Sequence, residues 1–263
     1  MSDLVERGAT ALEVLVISAR MQISQTLSAT TTVVFAFIQP VVLLIVTLLP
    51  LQDPTPRQVS NIVVGVLLTA FWTATVWGSG SVLRHDRAMG TLAHSLSGVM
   101  DARLVVIGKG LGSSAISIVL VSLTVGAVMV VLRRLVVLER PGWLLLGLLA
   151  VLASGAAVGL LVCSIFVLTR YGPQLSSALM YPVFLLGGML IPPDLLPPAL
   201  RWVSYGISLR WLQQFLVGAA TGELELRALA FAIALTLLYG LLGVLLFQRI
   251  VTRARRDSTL ELF

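Results

Sequence analysis

The chain has 263 residues, of which 57% are hydrophobic and 11% charged, with a net charge of +6 and a mean hydropathy of +0.99. A soluble globular domain carries about 25% charged residues, so this composition excludes that class and defines an integral membrane protein. The surplus positive charge reads as orientation and contact with membrane lipids, and not as a nucleic-acid surface.

A membrane-crossing helix needs about 20 apolar residues at ~1.5 Å of rise each. Six runs fit: Thr32–Leu49, Val59–Leu83, Leu104–Leu132, Trp143–Thr169, Leu175–Ile191 and Ala228–Phe247. The fold class expected is an all-α integral membrane protein, one transmembrane domain over residues 1–263. It has six transmembrane helices, an N-terminal interfacial helix and an outer re-entrant segment between spans five and six. The N-terminus carries Asp3, Glu6 and Glu13 and lacks the basic start and short apolar core of a signal peptide, so the first span is expected to stay in the mature protein.

Residues 1–30 include Ala9–Ala29, apolar over much of its surface but carrying Glu13, Arg20, Gln22 and Gln25. Such a segment does not cross comfortably, and it reads as an amphipathic helix in the cytoplasmic interface. Leu51–Gln58, with two prolines, is a tight outer turn, and Arg170-Tyr171-Gly172-Pro173 a tight inner one. Residues 84–103 form the polar interruption RHDRAMGTLAHSLSGVMDAR, which holds both histidines, His85 and His94. A short helix across the cytoplasmic face and a solvated positive-inside loop both fit this stretch. Residues 192–222 are too polar to span and too apolar for a wet loop. They hold Trp202, Tyr205 and Trp211, so a re-entrant segment and an aromatic interfacial anchor are both open. Residues 249–263 form a basic tail.

With six spans both termini share one side. Eleven Lys/Arg residues fall on that side and seven on the other, and the cluster Arg249 to Arg256 makes it the cytoplasmic one. The six runs hold no acidic or basic group well inside, Lys109 standing at the mouth of the third. Carriers driven by ion gradients and membrane hydrolases need such groups at depth. No catalytic residue is therefore assigned. No metal site is assigned either, because the histidine spacing matches no zinc pattern and Cys163 is the sole cysteine. Gly108-Lys109-Gly110-Leu111-Gly112 lacks the phosphate-loop pattern, so no nucleotide or other cofactor is expected on this chain.

The spans do contain weakly polar and aromatic residues. Gln39, Trp72, Thr75, Trp77, Gln174, Ser177 and Tyr181 either line a path for an amphiphilic cargo or join helices to one another. Gly155 and Gly159 form a small-xxx-small pair that permits close helix approach.

Two motifs add to this. Arg87-Ala88-Met89-Gly90-Thr91-Leu92, followed by Leu96-Ser97 and by Arg103 to Gly108-Lys109, resembles the inner loop of bacterial ABC-2 type permeases, the membrane subunits of ATP-binding cassette exporters. Gly187-Gly188-Met189-Leu190-Ile191-Pro192, through Leu195-Leu196-Pro197 to Trp211, resembles that family's outer segment. Ala93 departs from the family's frequent glutamate, Gly98 or Val99 stands near its usual proline, and Ser208-Leu209-Arg210-Trp211 lacks a proline often found there. The resemblance implies a permease of the bacterial plasma membrane that exports a drug, antibiotic, lipid or lipid-linked glycan. It implies two permease subunits, the second a copy or a different permease, each docked on an ATP-binding cassette subunit that holds the ATP and Mg. It makes residues 84–103 the coupling loop, with Gly90, Thr91, Leu92, Leu96 and Asp101 as contacts to the ATPase. A secondary carrier and a noncatalytic scaffold or assembly factor are the alternatives.

Overall fold

The structure, a computed structural model, describes residues 2–28, 30–88, 102–133, 139–168, 172–189 and 195–256. Among the described residues there are nine helices and no strand. They are α1 (Ser2–Ser28), α2 (Thr30–Leu48), α3 (Pro56–Ala88), α4 (Ala102–Val131), α5 (Pro141–Leu168), α6 (Gly172–Leu186), α7 (Pro198–Ser204), α8 (Ser208–Thr221) and α9 (Leu226–Arg256). Only helices satisfy every backbone group within one segment, which is why so apolar a chain takes this form throughout.

Among the described residues, three stretches are long and apolar enough to cross a membrane: Ile107–Val131 in α4, Pro141–Ile165 in α5 and Leu226–Arg249 in α9. The first two run at hydropathy 2.4 and 2.5, and many large side chains point outward, among them Leu123 and Leu145 at 63% and 61% exposure. In water such a surface would be untenable; in lipid it is the ordinary outer face. Helix α3 runs on to Ala88, so Arg84–Arg87, read above as part of the polar interruption, form its last turn. Residues 89–101 lie outside the described residues.

The expected fifth span takes a different shape. Helix α6 has 15 residues, roughly 22 Å of helix, short of a ~30 Å hydrocarbon core. Its end is built by a pair of glycines. The amide of Met189 donates to the Phe184 carbonyl (3.2 Å) and that of Gly188 to Leu185 (3.4 Å), with Gly188 at φ 78°. This is the two-bond wrap that closes a helix through one left-handed residue, and glycine takes that conformation without steric cost. The Met189 carbonyl then lies against Gly65 of α3, where an added methyl would stand 2.7 Å from it.

The segment after α6, expected to dip into the membrane, forms the helix pair α7 and α8. Pro198 starts α7 with its φ already helical, and Gly222 ends α8 at φ 85°. Helix α8 is buried along most of its length, with Leu209, Leu212 and Phe215 at 2% exposure or less. These leucines share one core with Leu68 and Phe71 of α3 and Val151 of α5, while Phe215 packs with Ala228 and Leu229 of α9.

At one end of the molecule, Arg57 pairs with Glu223 at 2.8 Å, and the Glu139 amide donates to the Ala220 carbonyl at 3.4 Å. The start of α3, the start of α5 and the α8–α9 turn therefore share that end. Helix α1 packs on the N-terminal part of α4. Gly108 and Gly112, one turn apart, face Leu15 and Ala19, also one turn apart; a methyl at Gly108 would stand 2.7 Å from the Leu15 carbonyl oxygen. The face α1 turns inward is mixed, with Val14, Ser18 and Thr26 buried, whereas Leu12, Val16, Ile17 and Met21 are exposed. Such an exposed apolar face suits a helix bathed on its outer side by lipid.

Candidate functional site

Two polar features meet the interior. The first is a ladder on α3 and α2. The Thr69 hydroxyl donates to the Gly65 carbonyl (2.7 Å) and Thr73 to the Thr69 carbonyl (2.9 Å), while the Gln39 side-chain amide donates to the Thr73 hydroxyl (3.2 Å). Threonine bonding back to the preceding turn is how a hydroxyl is made tolerable in an apolar helix. Gln39 stands one residue before Pro40 of α2. Next to Thr73, Trp72 is 8% exposed and belongs to the core around α8, yet its indole N–H has no acceptor among the described residues.

The second feature is the step where α6 stops and α8 begins. The Ser208 hydroxyl, at the first residue of α8, shares a buried 2.9 Å hydrogen bond with Ser154 of α5. The Tyr239 phenol of α9 donates to the Gly206 carbonyl. Ser154 and Tyr239 each lie roughly 20 Å along their helices from Pro141 and Leu226 at ~1.5 Å per residue. The N-terminus of α8 is thus held near the middle of α5 and α9, while its C-terminus stands level with their starts. The Ser204 hydroxyl donates to the Leu186 carbonyl at 2.5 Å, tying α7 to the end of α6.

Arg210 sits in this step. Its Nη1 donates to the Ser204 Oγ at 2.8 Å and to the Arg201 carbonyl at 3.5 Å. Its guanidinium lies 4.2 Å from the Tyr205 ring centroid and 5.7 Å from that of Trp211. Trp211 in turn stacks on Phe231 of α9 at 4.7 Å and donates its indole N–H to the Tyr205 carbonyl at 3.0 Å. The guanidinium thus lies among aromatic faces and neutral oxygens.

Of the residues singled out in the sequence, Gln39 joins the α3 ladder through Thr73, and Trp72, next to that threonine in the chain, belongs to the core around α8. Tyr181 is 73% exposed on α6, edge-on to Phe184. Thr75 and Trp77 on α3, and Gln174 and Ser177 on α6, occupy helical positions, but their side chains fall outside the description. Gly90, Thr91, Leu92, Leu96 and Asp101 lie outside the described residues altogether. Lys109, placed at the mouth of a span, has its side chain buried at 4% exposure. Gly155 serves less a backbone crossing than an aromatic ring: it faces Phe71 and the Ser114 hydroxyl. Close backbone approaches are found at Gly65, Gly108, Gly112 and Gly218, and at Gly243, where a methyl would stand 3.0 Å from the Leu161 amide nitrogen. Among the described residues no group of three or more His, Cys, Asp or Glu could hold a metal ion.

Long apolar helices around a half-length helix pair, with polar groups held at their middle, define a helical membrane protein with an interior polar step. The ABC-2 type transporter family model matches residues 13–221, and the chain belongs to that family. It is a permease component of an ABC transporter, and membership implies an ATP-binding cassette subunit as its partner. Comparison with curated proteins gives no match.

Proposed function

We propose that this permease exports a hydrophobic or amphipathic molecule across the bacterial plasma membrane, powered by ATP held with Mg on separate subunits. Helices α2 to α6 and α9 are its six crossings, with α6 completed on the outer side by the re-entrant pair α7–α8. Both termini are cytoplasmic, and α1 lies in the inner interface. Two permease subunits pair, each on its own ATP-binding subunit.

The observation that carries this reading is the short α6, ended at Gly188, with α8 starting at the middle of α5 and α9. A helix that crosses fully seals the bilayer; one that stops short and hands over to a second helix leaves an irregular polar step. Such backbone is stable only where protein or a cavity covers it. Glycine-capped at Gly188 and hydroxyl-bonded at Ser204 and Ser208, the step is held in place yet offers polar groups at depth. Gln39, Thr73 and Trp72 extend that polarity down α3. Uncharged donors and aromatic faces suit a cargo with a long apolar part.

Drive enters at the other end. Residues 84–103 join α3, whose last turn carries Arg84 and Arg87, to α4. Thr91, Leu92, Leu96 and Asp101 are the contacts to the ATPase in this reading, and closure of the nucleotide subunits moves α3 and α4 through them. The test is Leu92→Asp with Leu96→Asp in the reconstituted transporter. Membrane insertion is expected to be unchanged and transport abolished, with ATP hydrolysis no longer responding to cargo. Normal transport by the double variant removes the loop from the mechanism.

A further inference from the structure

We propose that Arg210 receives the anionic headgroup of the amphiphile that this permease carries, which makes an acidic lipid-like molecule the substrate class; this rests on the export reading above. The six apolar runs hold no charge well inside, yet the fold carries one in from the side. Through the Ser154–Ser208 and Tyr239–Gly206 bonds the first turn of α8 is held at the middle of α5 and α9, and Arg210 is in that turn. A charge at such depth is costly, and where one is kept it marks a pathway or a ligand.

Among the described residues the guanidinium has hydrogen-bond acceptors and aromatic faces but no counter-ion. Its hydrogen bonds run from Nη1 alone, to a hydroxyl and a carbonyl. Nε and Nη2 have no acceptor among the described residues, and neither is sealed off from the surface. The ion pair of the described residues is Arg57 with Glu223, at the far end of α8. The first turn of α8 holds no acidic side chain, so the positive end of its dipole adds to the guanidinium instead of offsetting it. A planar fork with two nitrogens unfilled matches a phosphate or carboxylate.

Beside this charge lies apolar surface for a chain. Trp202, Leu195 and Val203 are exposed at 78%, 75% and 57%, and Phe231 at 54%. The Tyr205 ring, against Trp202 at 6.2 Å and under Arg210, joins the two surfaces. An anionic head with an acyl tail satisfies both at once; free phosphate satisfies only the first.

The test uses the full chain in nanodiscs of equal phosphatidylglycerol and phosphatidylcholine, with the lipids retained after detergent extraction counted by native mass spectrometry. Wild type is expected to retain phosphatidylglycerol over phosphatidylcholine by about tenfold, as one added charge-assisted hydrogen-bonded contact would give. Arg210→Gln is expected to abolish that preference and Arg210→Lys to keep part of it, the fork being lost while the charge stays. Arg57→Gln, which removes an exposed and paired arginine, should leave it intact. Wild type without a preference overturns the proposal, whatever the variants do. So does an unchanged preference in Arg210→Gln, or displacement of the lipid by millimolar inorganic phosphate. The ATP-binding subunit is scored in the same preparation. Its absence beside a clear lipid preference contradicts the transporter reading alone, and its presence without a preference contradicts the headgroup site alone.

Discussion

Ser154 and Ser208 share a buried hydrogen bond of 2.9 Å between the middle of α5 and the first residue of α8. Through this bond a helix that begins far from either end of the bundle keeps its depth. Hydrogen bonds between membrane helices contribute on average about 0.6 kcal/mol and at most ~1.7. Ser154→Ala and Ser208→Ala are each expected to lower the midpoint of thermal unfolding in detergent by a few degrees. The double variant should cost little more than either single one, as for two ends of one bond. Full additivity would show that the two hydroxyls act separately.

Gly188 is the left-handed residue that ends α6. Replacing it by valine puts a β-branched side chain at positive φ, which costs on the order of 1–2 kcal/mol before any clash. Asparagine tolerates that region better and should be the milder change. Thermal unfolding of Gly188→Val beside Gly188→Asn checks the order; equal stability would mean that the turn relaxes to ordinary backbone.

Gly108 and Gly112 seat α1 on α4. A side chain at Gly112 would meet the backbone of Ala19, and backbone does not swing aside as a side chain would. Gly112→Leu is expected to lift α1 away, with a loss of roughly 1–3 kcal/mol for overpacking. The readout is faster proteolysis near residues 15–25 at unchanged expression. Gly126→Leu is the control, since nothing lies within 4 Å of a methyl there.

Much of the fold was legible from the apolar runs. Length and hydropathy placed α4, α5 and the start of α9 to within a few residues, because a helix in lipid has little choice of form, while α9 runs on to Arg256 through residues read as a basic tail. The N-terminal helix followed from Glu13, Arg20 and the glutamines, which bar a crossing. Burial of Ser18 against α4, with Leu12 and Val16 outward, was beyond reach, since amphipathicity alone does not say which face meets protein. The fifth run misled by composition: Gly187-Gly188 sits inside an apolar stretch, and only the positive φ of Gly188 reveals a stop. Arg210 counts among the seven outer Lys/Arg residues, in a segment expected to be re-entrant or interfacial, because sequence position carries no depth. The one hint was the two Arg-Trp pairs in a segment too apolar for a loop. The glycines that matter were in view at Gly108 and Gly112, but Gly155 and Gly159 drew attention by the same spacing, and spacing does not name the partner.

Tyr239 donates to the Gly206 carbonyl in the turn between α7 and α8. Tyr239→Phe keeps the ring and removes the donor, leaving that carbonyl without this partner. Amide hydrogen exchange over residues 205–210 is expected to quicken by about tenfold, the equivalent of ~1.4 kcal/mol. Protection identical to wild type would mean that Ser154 and Ser208 hold the turn by themselves.

The central claim is that this chain is driven by a separate ATPase engaged through residues 84–103. Gentle purification from native membranes, with identification of what stays bound and an assay of ATP hydrolysis, tests it most directly. A stoichiometric ATP-binding subunit with ATPase activity, lost on Leu92→Asp with Leu96→Asp, is the expected result. A chain that emerges alone and inactive from several mild detergents would contradict the claim.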